Sequence, residues 1–127
     1  MSVKVTPDKL GLEIDAIMKD YSDEVWEEVQ KISVDVANDA AKKLRNTSPK
    51  GTTGEYAKGW KVKTTRGRLK VSSIVYNAKK PQLTHLLEFG HIIAGTGRRG
   101  GQREHIAEVE QWANEEYEKR LKEAIER

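Results

Sequence analysis

From about Asp8 to Arg45, apolar residues recur at steps of three and four: Ile14, Met18, Tyr21, Val25, Val29, Ile32, Val36, Ala40 and Leu44. That is the period of one helix face and predicts a long helix over 8–46. Asp8, after Pro7, suits its N-cap, and Asn46-Thr47-Ser48-Pro49 marks its end. A helix of that length would run about 50 Å, longer than a compact domain of this size. Either it breaks near Tyr21–Ser22, or it projects and packs against another copy.

The next stretch, "SPKGTTGEYAKG", reads as a loop rich in Gly, Thr and Pro. "WKVKTT" and "LKVSSIVYN" are β-branched and partly alternating, and "RGR" supplies the turn of a hairpin over 59–77. Val62 and Thr64 share one face there, and Val71, Ser73 and Val75 another. A short helix over 81–89 starts at Pro81 and stops at Gly90. A mobile loop is expected over 90–104, rich in Gly and Arg and longer than most connections in compact domains. Ile106, Val109, Ala113, Tyr117, Leu121 and Ile125 then set up a C-terminal helix over 105–126. The order is that of an α+β chain: a long N-terminal helix and a C-terminal helix packed on a small antiparallel β-sheet, in a single domain over 1–127. There is no internal repeat.

Composition narrows the function classes. The 127 residues are 36% hydrophobic and 34% charged, and none is cysteine. Disulfides, thiolate catalysis and cysteine metal sites are therefore excluded, and synthesis in a cytoplasm fits. No apolar run approaches the roughly 20 residues of a membrane span, and "MSVKVTPDKL" lacks the apolar region of a signal peptide. The net charge of +3 conceals a partition. Residues 48–103 hold 12 basic and 2 acidic side chains, against 7 and 10 in residues 1–47 and 4 and 8 in residues 104–127. A basic middle between acidic flanks points to an anionic partner, or to copies meeting basic face to acidic face.

All three histidines lie in "LTHLLEFGHIIAGTGRRGGQREHI". His85, Glu88 and His91 are spaced three apart, as metal ligands on one helix face would be. However, Gly90 interrupts the continuous helix that the zinc-protease pattern needs, and a His at a helix end also caps or packs. No metal and no other cofactor is expected. "GTGRRG" matches the dinucleotide pattern, but a single helix consumes the remaining 27 residues and leaves no second strand for the unit that gives the pattern meaning. Two-metal phosphoryl transfer needs clustered carboxylates, and the basic middle has only Glu55 and Glu88. No catalytic residue is therefore expected. Lys50, Lys58, Lys61, Lys63, Arg66, Arg68, Lys70, Lys79, Lys80, Arg98, Arg99 and Arg103 have the charge to neutralise phosphates, with Trp60 and Tyr76 as stacking platforms. No reading head is visible, so contact with DNA would be sequence-blind.

The combination of "SPKGTTGEYAKGW", "VYN", "KPQLTHLLEFGH", a Gly/basic loop and "HIAEVE" resembles the tail-completion or head–tail joining proteins of long-tailed bacteriophages and prophages, minor tail components. It spans about Ser48 to Glu110, and its most specific piece is Leu83–Glu88 with Gly90-His91. The family's prolines around His105 are replaced here by Glu104 and Glu108. The resemblance implies an α+β virion protein without catalysis, at the neck or tail end of the particle and in the host cytoplasm during assembly. Its partners would be head–tail connector proteins, tail-tube proteins and further copies of itself in a ring. In that setting His85, Glu88, His91, Arg98, Arg99, Arg103 and His105 are assembly residues. The alternative is a small basic protein that binds nucleic acid non-specifically, distinguished by a steep loss of affinity as salt rises.

Overall fold

The structure, a computed structural model, describes residues 2–5, 11–19, 21–50, 53–81, 84, 88, 91–92, 99–100 and 105–126. Two strands come first, β1 (Ser2–Val5) and β2 (Leu12–Ile17). Helix α1 (Asp23–Thr47), a one-turn helix α2 (Glu55–Lys58), and strands β3 (Trp60–Arg66) and β4 (Lys70–Asn77) follow. Short strands β5 (His91–Ile92) and β6 (Arg99–Gly100) precede helix α3 (Ile106–Ile125). β1 to β4 form an antiparallel sheet in the order β1-β2-β4-β3. Both long helices pack on it, α1 over β2, β4 and β3, and α3 against α1 and β1.

The long helix begins at Asp23, not at Asp8. Leu12, Ile14 and Ala16 are fully buried, while Glu13 and Asp15 alternate onto the other face, so the two-residue period wins over 12–17. Ile14 to Met18 is also a helical step, and only the partners on each side, Val3 opposite Ile14 and Val75 opposite Leu12, decide between the periods. Ser22 caps the helix, its hydroxyl accepting from Val25 N at 3.2 Å, with Asp23 and Glu24 at the positive end of the dipole. At the other end Ser48 N–H donates to Leu44 O at 2.9 Å, and Pro49 prevents continuation.

The buried stripe of α1 holds Ser33, Ala37, Ala40 and Ala41 between Val29, Val36 and Leu44. Such small side chains let the helix axis approach the sheet closely. α3 contributes Ile106, Val109, Ala113, Tyr117 and Leu121 to the same hydrophobic cluster. Each fully buried aliphatic side chain there contributes about 1.5–3 kcal/mol. The Tyr117 hydroxyl donates to Asp15 O at 3.1 Å, joining α3 to β2.

The hairpin forms within 59–77, with a register that places Val62 opposite Val75 and Thr64 opposite Ser73. Directly opposed residues lie on one sheet face, so Val62, Thr64, Val71, Ser73 and Val75 share a single inward face rather than two. Thr64 and Ser73 hydroxyls hydrogen-bond at 3.0 Å. The stretch read as a loop contains α2, which buries Tyr56 and Ala57. Gly54, at φ +71°, occupies its N-cap in the left-handed region that L side chains avoid.

Candidate functional site

The first N–H groups of a helix have no acceptor within it. His105 stands at the N-cap of α3, but its side chain makes no capping bond. Glu88 supplies the cap from a separate segment, in which Pro81, Thr84 and Glu88 are helical. Glu88 Oε1 accepts from His105 N at 2.7 Å and Ile106 N at 2.9 Å, and Oε2 accepts from Ala107 N at 3.0 Å. The carboxylate thus meets both the unpaired donors and the positive end of the dipole.

The His105 ring extends this contact. Nδ1 lies 3.0 Å from Glu88 Oε1, and Nε2 lies 2.7 Å from the Tyr56 hydroxyl. A neutral ring protonated on Nδ1 satisfies both partners: it donates to the carboxylate and accepts from the tyrosine. Glu88, His105 and Tyr56 are all buried, at 4%, 2% and 4% exposure. Burial pushes the Tyr56 hydroxyl up to about 12; the Glu88 charge adds to the rise and the neighbouring Thr84 hydroxyl opposes it. The Thr84 hydroxyl is itself buried without a well-formed hydrogen bond among the described residues.

Three rings close the site edge to face, Tyr56–His105 at 5.7 Å, Tyr56–Trp60 at 5.8 Å and Trp60–His105 at 6.3 Å between centroids. Trp60 is pinned by its Nε1–H donating to Ser48 Oγ at 2.8 Å and by Arg45 Nη1 donating to its carbonyl at 2.7 Å. Asn77 Nδ2 donates to Tyr56 O at 2.7 Å, and Lys80 N–H donates to Asn77 Oδ1. A Cβ on Gly59 would stand 2.6 Å from that same Asn77 oxygen, so the turn into β3 requires glycine.

Two of the anticipated assembly residues, Glu88 and His105, are therefore brought together. Between them His91 pairs with Gly100 and Ile92 with Arg99 in an antiparallel ladder of backbone. His85, Arg98 and Arg103 lie outside the described residues, as do the side chains of His91 and Arg99. The anticipated mobile loop over 90–104 lies outside them too, apart from those four ladder residues. Nothing local in the sequence marks Tyr56 and Trp60 as ring partners of His105, or Ser48 as the acceptor of Trp60, since they come from a one-turn helix, a strand and a helix cap. Trp60 is 1% exposed and has no face for stacking on a base, contrary to the sequence expectation.

Chemically the cluster holds chain segments together. Both Glu88 oxygens are engaged by donors of the chain, and the carboxylate is buried among them. Among the described residues no group of three His, Asp or Glu is arranged to hold a metal ion, and no helix is long and apolar enough to cross a membrane. On the β3–β4 hairpin the exposed Lys61, Lys63, Arg66 and Arg68 have no ion pair among the described residues.

A family model described as "Bacteriophage HK97-gp10, putative tail-component" matches residues 13–90 of the chain, from β2 to just beyond Glu88. No curated protein and no solved structure matches it.

Proposed function

The chain belongs to the HK97-gp10-like family of bacteriophage tail components, and from that premise we propose that it completes the tail end and joins tail to head as one subunit of a ring. It acts by assembly, with no catalytic step, in the virion and beforehand in the host cytoplasm. Its partners are the head–tail connector proteins, the tail-tube proteins and further copies of itself.

The observation that carries this reading is the clamp. Glu88 and His105 fasten together the two ends of a segment that contains Arg98, Arg99 and Arg103 and no carboxylate between Glu88 and Glu104. The two ends of the segment are fixed by this buried cluster, and the net positive charge of its sequence suits an acidic neighbour. The acidic flanks of the chain offer the complementary surface on another copy. Contacts of that kind are heterologous, and they close into a ring when the rotation per subunit allows.

The test is the triple change Arg98→Glu, Arg99→Glu and Arg103→Glu. The expected variant has wild-type circular dichroism and melting, because arginine side chains are almost never fully buried unless paired. Joined virions, counted by electron microscopy, should fall. An undiminished count would remove the segment from the joining step.

A further inference from the structure

The two edges of the sheet differ in charge and in main-chain saturation. Gly59 O accepts from Ala78 N at 2.8 Å and Lys70 O accepts from Gly67 N at 2.7 Å, so residues 59 and 67 form hydrogen-bonded pairs with β4. Antiparallel ladders alternate, so Lys61, Lys63 and Thr65 also bond β4, while Trp60, Val62, Thr64 and Arg66 turn their N–H and C=O groups to the open edge. The bond from Arg45 to Trp60 O fits this phase and satisfies one of those groups. Among the described residues the remainder of the β3 edge is an open template. It carries Lys61, Lys63 and Arg66, with Arg68 and Lys70 at the turn and no acidic residue from Trp60 to Lys70.

The opposite edge is β1 with α3 beside it. Asn114 Nδ2 lies 3.4 Å from Val3 O, so the α3 face that carries Asn114 borders β1. Glu110 and Glu118, one turn on either side of Asn114, share that face. Neither has an ion pair among the described residues.

We propose that the basic β3 edge of one copy, with Lys61 and Lys63 on one face of the strand and Arg66 on the other, docks on the β1/α3 edge of a second copy that carries Glu110 and Glu118. This rests on the ring reading above and supplies its subunit contact. Opposite charges on opposite edges suit a head-to-tail contact, and the same lysines repel a symmetric β3–β3 pairing. A nucleic acid fits the edge less well. The groove of about 300 Å³ adjoining it sets Glu27 and Asp35 beside Arg66, and Trp60 is buried.

Light scattering on size-separated full-length protein at low salt tests the contact with two surface variants, Lys61→Glu/Lys63→Glu/Arg66→Glu and Glu110→Lys/Glu118→Lys. The wild type should self-associate in the high micromolar range. Each variant alone should associate at least about tenfold more weakly, and an equimolar mixture should recover wild-type association, since every junction of an alternating assembly is then complementary. A monomeric wild type, a variant that associates like wild type, or a mixture that recovers nothing would overturn the proposal. Loss of DNA retention with self-association intact would also overturn it, in favour of nucleic acid at this edge. If the edge variants associate normally while the Arg98/Arg99/Arg103 variant still loses joined virions, only the subunit contact fails and the joining role stands.

Discussion

Replacing Glu88 by Ala removes one carboxylate and leaves three backbone donors, those of His105, Ile106 and Ala107, together with the His105 ring. A buried donor without a partner costs about 1–3 kcal/mol. Summing four such terms would overstate the effect, since water can enter and the helix can fray. With about two donors left unrelieved, the expected loss is about 2–6 kcal/mol. Against a total stability of about 5–15 kcal/mol that is a large share. For a chain of this size it lowers Tm by roughly 10–20 °C. Glu88→Gln keeps the shape and one acceptor but turns an amide donor toward the Ala107 N–H or the His105 ring, so about 1–2 kcal/mol is expected. Urea and thermal unfolding followed by circular dichroism give both values, and amide exchange at His105–Ala107 should accelerate in step. A Glu88→Ala loss below about 1 kcal/mol would refute the clamp as the anchor of α3.

Burial raises the Tyr56 hydroxyl to about 12, so its contribution is complete below the unfolded value of about 10 and is lost as pH rises through the folded one; Tyr56→Phe should remove about 2–3 kcal/mol of that alkaline decline in urea titrations, while Tyr117, also raised by burial, keeps its own share. Thr64→Pro should be tolerated, because the Thr64 N–H faces the open edge, whereas Lys63→Pro should cost about 3 kcal/mol or more by breaking a ladder bond; equal Tm shifts would mean the phase of β3 is misassigned. Treatment with a chelator should leave Tm unchanged, and a drop reversed by zinc would restore the metal reading of His85, Glu88 and His91.

The sequence by itself determined the parts whose signal is periodic and long. Val25 to Leu44 and Ile106 to Leu121 each repeat one helix face over many turns, so the helices were legible to within a residue or two where no strand competed. The hairpin was legible because β-branched runs flank a turn. The segregation of charge was also readable, since it depends on counting alone. Tertiary structure decided the rest. Six residues at 12–17 satisfy both periods in part, and only pairing with β1 and β4 made them a strand and moved the helix start from Asp8 to the Ser22 cap. The inward direction of Val62 and Thr64 was set by register, which no single strand contains. Glu88 and His105 are 17 residues apart, and Tyr56 is a further 32 from Glu88. No local spacing rule relates them, because each unpaired donor at the start of α3 takes its acceptor from whichever segment the packed core brings beside it.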